Sequence, residues 1–166
     1  EFREKVYREE REGADVAITL GKAQTEGFTR LMDAMFLRTV QVASTDAGAR
    51  TDPAIRGVLE PVLEDVAFVT PTDSGADVYA VSLKYRISGY KPDGQFTDSW
   101  TFTVYGAAAV GNLLGIGTDA LQKATQLAMR DAGARLATEL REQAIVRGLL
   151  PADSRPPVTE EATAPP

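Results

Sequence analysis

Asp98 is the residue in this chain best placed for acid–base chemistry. Phe96, Asp98, Trp100, Phe102 and Val104 share one parity of an alternating run. A carboxylate set among apolar neighbours has its pKa raised by desolvation and can act as a general base. The second reading is structural: a strand-edge or bulge aspartate beside Ser99, pointing to solvent. The rest of the chain narrows the options sharply. It contains no His and no Cys, which removes the usual general base, the commonest metal ligand, thiolate nucleophiles and disulfides. Only Asp, Glu, Lys, Tyr, Ser and Thr remain for catalysis, and no cofactor is implied.

Two other clusters invite a chemical reading. Glu60, Glu64 and Asp65 form an acidic run, followed by Asp73 and Asp77. Hard cations such as calcium take oxygen ligands, but this spacing matches no calcium loop, and a solvated acidic face accounts for it. The segment Gly106–Gly117 (GAAAVGNLLGIG) is rich in glycine. It has no GxxxxGK[ST] pattern, no dinucleotide fingerprint and no lysine before the next helix, so it is not a phosphate cradle. An uncharged loop of this kind is costly to leave in water. It either packs across the end of the domain's own sheet, or Val110, Leu113, Leu114 and Ile116 form a contact for a partner subunit or a membrane surface. The aromatic residues Tyr79, Tyr85, Phe96, Trp100 and Phe102 read first as core. Tyr85, Trp100 and Phe102 are also suited to line an apolar pocket for a small molecule or lipid.

The elements that must position these residues follow from periodicity. Residues 81–87 alternate Val81, Leu83, Tyr85 and Ile87 with polar neighbours, and the run from Phe96 to Val104 alternates again. Between them KPDG (Lys91–Gly94) is a turn: proline pre-sets one dihedral and glycine accepts a positive φ. This predicts an antiparallel hairpin with one buried face. Phe28, Leu31, Met32, Met35 and Phe36 recur at three- and four-residue steps, which predicts a helix over 22–38. A second helix is expected from 118 to about 147, capped by Thr118 or Asp119. Its inner stripe is Leu121, Ala124, Ala128, Ala132, Leu136 and Leu140, small enough to let the helix approach a sheet closely, and Asp131 and Arg135 are spaced to pair one turn apart. Short strands are expected at 15–20, at 39–43 (TVQVA) and, bent with Pro61 in its middle, within 57–70, where the four-residue spacing of Val58, Val62 and Val66 leaves a helix as the alternative; 71–75 reads as a turn. Together these predict an α+β two-layer sandwich, a mostly antiparallel sheet with two helices on one face.

Composition fits one soluble domain. The 166 residues are 43% hydrophobic and 25% charged, with a net charge of -6 from 18 basic and 24 acidic residues. An acidic balance speaks against a general nucleic-acid binder. All of residues 1–12 are charged except Phe2, Val6 and Tyr7, which suits a solvated edge strand or a frayed helix. Five of the nine prolines lie beyond Leu150. The division expected is a charged segment at 1–13, one α+β domain at 14–148, and a Pro-rich disordered tail at 149–166. No stretch is long and apolar enough for a membrane span. The chain opens on Glu1 rather than Met, so a preceding segment is expected, and any lipid anchor would lie there.

Three stretches taken together carry a family resemblance: ADVAITLGKAQTEGFTRLMDAMF (Ala14–Phe36), YRISGYKPDGQFTDSWTFTVYG (Tyr85–Gly106) and ALQKATQLAMRDAGARLATEL (Ala120–Leu140). They resemble small bacterial envelope lipoproteins of the YajG and LptE type, and the N-terminal domain of TolB. The matching features are Leu20–Gly21 leading into a helix that ends in Phe36, Asp93–Gly94 with Trp100 in the returning strand, and Arg130–Ala132. The resemblance implies a non-enzymatic lipoprotein domain in the periplasm, anchored to the outer membrane and supporting an assembly, transport or secretion machine. Its partners would be other envelope proteins, with homo-oligomers included and nucleic acid excluded. With no cysteine in the chain, the anchor rests wholly on a preceding segment. The mechanism so implied is docking through sheet edges and the apolar loop; the alternative is the small-molecule or lipid carrier.

Overall fold

The computed structural model describes residues 6–11, 14–45, 53–110 and 117–148, with residues 6–11, 14–19 and 117–118 described by their backbone alone. In order the elements are β1 (Val6–Arg11), β2 (Ala14–Thr19), α1 (Gly21–Met35), β3 (Val58–Val69), α2 (Pro71–Ser74), β4 (Val78–Tyr90), β5 (Phe96–Ala109) and α3 (Gly117–Val146). β3, β4 and β5 form an antiparallel meander, and β1 pairs with β2 in a separate two-stranded sheet. Helices pack on the meander, so the fold is α+β, as the periodicity predicts. Of the charged opening segment, the described residues 6–11 form a strand rather than a helix.

The hairpin forms for the reason its alternation gives. Val81, Leu83, Tyr85 and Ile87 of β4 and Trp100, Phe102 and Val104 of β5 are all buried on one face. Burying each such side chain contributes about 1.5–3 kcal/mol. At the turn, Gly94 takes a positive φ of 93°, and Lys91 N donates to Gln95 O at 2.8 Å. β3 carries Pro61 because it is an edge strand: Pro61 lies opposite Ile87, and only an edge tolerates a missing donor. β3 keeps its register with β4 through Pro61, where the sequence predicts a bend, and the register shift falls instead between Leu63 and Asp65.

α3 lies on this face with the alanine stripe inward. Leu121, Ala124, Ala128, Ala132, Leu136 and Leu140 are all buried, Ala124 and Ala128 fully. α1 packs alongside, bringing Phe28, Leu31, Met32, Met35 and Phe36 against the same core. The opposite face of the meander is polar, with Lys84, Arg86 and Glu64 forming ion pairs in water.

Several expectations need correction. TVQVA (39–43) forms no strand: its residues pair with none of the described strands. Alternation without a neighbour makes no ladder; Gln41 Nε2 instead donates to Thr29 Oγ1 at 2.5 Å, and Thr39 to Asp33. The turn at 71–75 is the single-turn helix α2, because Thr70 and Asp73 build a capping box and Gly75 closes it at φ 66°. α3 begins at Gly117, so Thr118 and Asp119 sit in its first turn rather than at its cap. The apolar loop starts later than expected, since residues 106–109 belong to β5. Leu113, Leu114, Ile116 and the tail at 149–166 lie outside the described residues.

Candidate functional site at the open edge of the sheet

β5 is the edge strand on which the chemistry-bearing residues converge. Val110 N donates to Asp77 O at 2.9 Å, continuing the register in which Ala108 faces Tyr79 and Phe102 faces Tyr85. Even-numbered residues of β5 from Asp98 onward therefore turn their main-chain groups toward β4, and the odd-numbered ones turn theirs outward. No described strand pairs with that outer edge.

Part of the edge is closed by side chains. Asp98 Oδ1 accepts from Ser99 N at 2.7 Å, and Arg147, just past the end of α3, donates to Ser99 O at 3.2 Å while pairing with the Asp98 carboxylate. Both outward groups of Ser99 are thus taken. Arg135 of α3 donates to Thr103 O at 3.2 Å and to Glu139 Oε1 at 2.9 Å. Each guanidinium also lies over a ring, Arg135 over Phe102 at 5.4 Å and Arg147 over Trp100 at 5.5 Å. The outward groups of Tyr105, Ala107 and Ala109 meet none of these caps, and all three residues are exposed, Tyr105 by 69%. Toward the hairpin the edge is capped at Ser99 and at the Thr103 carbonyl, while Thr101 and the stretch from Tyr105 to Ala109 carry no such cap among the described residues.

This arrangement bears out the structural reading of Asp98, a bulge aspartate beside Ser99, and sets aside the catalytic one. Its side chain is 47% exposed, and its carboxyl is held below the usual value, first by the Ser99 amide and then by Arg147. A carboxylate so stabilised is a poor base at neutral pH. The cause is a bulge between Gly89 and Tyr90 on one strand and Asp98 and Phe96 on the other. Across it Phe96 swings to the outer face, 53% exposed, and meets Tyr90 edge-on at 5.7 Å. Asp98 thereby sits at the last inward position, where Arg147 can reach it. The pairing expected for Arg135 also differs: it bonds Glu139, not Asp131.

Glu60, Glu64 and Asp73 are each engaged locally. Glu60 accepts from Tyr90 Oη at 2.8 Å, Glu64 holds Lys84 and Arg86, and Asp73 accepts from Thr70 N at 2.8 Å. Among the described residues no three of them converge on a point. Tyr85, Trp100 and Phe102 sit between the sheet and the helices. The Tyr85 ring meets Phe102 at 5.5 Å and Phe28 at 5.8 Å, so protein groups occupy its faces. A groove of about 310 Å³ lies elsewhere, along α1, lined by Thr25, Glu26, Thr29, Arg30 and Gln41. Of the expected contact residues, Val110 is described, half-buried at the end of β5.

Sequence reasoning overlooked Arg147, Gln24 and the role of Gly106, and gave Arg135 only Asp131 as a partner. Gln24 had a signal: it lies one turn before Phe28 on the apolar stripe of α1, and a polar residue there must find a buried partner. It finds Tyr85, whose hydroxyl donates to Gln24 Oε1 at 2.8 Å. Arg147 had none, because Asp98 and Ser99 lie far away in sequence, and nothing local pointed Arg135 to the Thr103 carbonyl.

No protein-family model matches the chain, and no curated protein matches it. No helix among the described residues is long and apolar enough to cross a membrane.

Proposed function

We propose that the chain is a non-enzymatic accessory domain of a bacterial envelope lipoprotein, docking with other envelope components by strand addition at β5. The observation that carries this reading is the open stretch at Tyr105, Ala107 and Ala109, with exposed residues and outward main-chain groups that no described strand takes up. Strand addition draws affinity from main-chain hydrogen bonds and specificity from alternate side chains. In sequence the strand is followed by the apolar residues Val110, Leu113, Leu114 and Ile116. The envelope setting, the periplasmic location and the anchor rest on the family resemblance.

A photoreactive phenylalanine analogue at Tyr105, introduced in cells, tests the reading. The expected result is an adduct with an identified envelope protein, lost when Ala107→Pro is added to the same chain. Proline at Ala107 removes an outward N–H and leaves pairing with β4 intact. An adduct that survives Ala107→Pro, or no adduct at all, overturns strand addition.

A further inference from the structure

We infer that Arg147 couples the last turn of α3 to the β5 edge at Ser99, so that the two open together while the rest of the domain stays folded. Opening adds Ser99 to the uncapped edge beside Thr101. That consequence rests on the docking reading; the latch itself does not.

α3 loosens its hold on the sheet before it ends. Its inward leucines stop at Leu140, and from Arg141 to Gly148 Ala144 alone is buried. An alanine methyl removes little apolar area from water, and Val146 in the same turn is 84% exposed. The polar contacts described between this turn and β5 run through one side chain. The Arg147 guanidinium lies over the Trp100 ring at 5.5 Å, pairs with the Asp98 carboxylate and donates to Ser99 O at 3.2 Å. Its Nε donates to Gln143 Oε1 at 3.1 Å, which ties the same side chain to its own turn.

These contacts are lost together. Asp98 Oδ1 accepts from Ser99 N while Oδ2 holds Arg147, so release of the guanidinium frees the carboxylate to turn. Both outward groups of Ser99 are then uncovered. On the helix side, Arg147 N donates to Gln143 O and Gly148 N to Ile145 O, both at 3.0 Å, within the turn that the guanidinium anchors.

The closed state is only weakly favoured. Water reaches the ion pair, whose side chains are 24% and 47% exposed, and pairs of this kind are weak and screened by salt. Closure also carries a cost. Trp100 is 7% exposed, and its Nε1 is buried without a partner among the described residues. Arg147 lies over that ring, so its departure opens the ring to water. Segments with few buried contacts open locally below the cost of global unfolding.

Native-state hydrogen exchange on the chain, with Arg147→Ala beside the parent, tests the coupling. In the parent the amides of Ser99, Arg147 and Gly148 should share one opening constant, about a hundredfold or more above those of Leu140 and Val104. Arg147→Ala should raise the Ser99 opening about tenfold and leave Val104 unchanged. Added salt, which needs no substitution, should shift the three parent amides together. Ser99 exchange indifferent to both Arg147→Ala and salt overturns the inference; so do three amides that exchange only with the whole domain. None of these readouts involves a partner, so their failure leaves the docking reading standing, and absence of the Tyr105 adduct removes docking and leaves the latch. Where that adduct forms, a photoreactive analogue at Thr101 should crosslink more in Arg147→Ala than in the parent. Equal yields overturn the gating of the edge.

Discussion

Gly106 of β5 lies directly against the main chain of Ala124 in α3. A Cβ at position 106 would stand 2.0 Å from Ala124 O and 2.4 Å from Ala128 N, both backbone atoms of a helix whose facing residues are fully buried. Neither can move without lifting α3 from the sheet. Gly106→Ala should therefore destabilise the fold by about 3 kcal/mol or more, at the upper end of overpacking costs. Urea unfolding measures it, and an unchanged midpoint would show that the helix does not rest on the strand here. Gly133→Ala is the control: nothing lies near its Cβ position, so the helical preference for alanine should stabilise it slightly.

The hydrogen bond from Tyr85 Oη to Gln24 Oε1 ties α1 to the middle of the sheet, and both residues are buried. Gln24 Nε2 is buried without a partner among the described residues. Tyr85→Phe leaves the amide oxygen stranded as well, at a cost of about 1–3 kcal/mol. Gln24→Met added to Tyr85→Phe removes the stranded group, so the double variant should be more stable than Tyr85→Phe alone. A thermal-denaturation double-mutant cycle decides the matter. A double variant weaker than Tyr85→Phe would mean that Gln24 contributes chiefly through packing.

Asp98 predicts a pH dependence of definite sign. Its carboxyl is held below its ordinary value by the Ser99 amide and Arg147, so at acid pH the unfolded chain binds a proton that the folded chain resists. Its contribution is complete above the ordinary carboxylate pKa of about 4 and is lost as pH falls through the lower folded value. Asp98→Asn should thus be less stable than the parent at neutral pH, with the gap closing toward pH 2. Glu64, lowered by Arg86 and Lys84, contributes in the same direction in both proteins, so the difference between them isolates Asp98. A gap that stays constant with pH would show that the ion pair with Arg147 does not form in solution.

The sequence carried local information well and distant partnerships poorly. The hairpin was legible because Val81 to Ile87 and Trp100 to Val104 alternate, and period two has one common physical cause. The α3 stripe was legible because Ala124, Ala128 and Ala132 repeat every turn. TVQVA misled because alternation states only a strand's tendency, whereas a ladder requires a neighbour. The place of Phe96 was hidden because the bulge near Thr97 depends on how two strands meet, not on either alone. Asp98 was singled out correctly as unusual, yet its partner Arg147 lies 49 residues away. No spacing rule spans that distance, so a residue that closes an edge resembled one that performs catalysis.

Arg135 and Arg147 set how much of β5 is open, and removing their donors should lengthen the usable edge. Methionine at both positions keeps an apolar stem over Phe102 and Trp100 while freeing the carbonyls of Thr103 and Ser99. Unpaired edge groups of this kind are templates for another strand. Each hydrogen bond an incoming strand gains is worth about 0.5–1.5 kcal/mol, so the double variant should self-associate about tenfold more tightly. Light scattering against concentration, on samples matched for folded fraction by circular dichroism, measures the change. Parent-like or weaker association would show that these carbonyls were never available to another strand, and that the arginines serve only to hold α3 to the sheet.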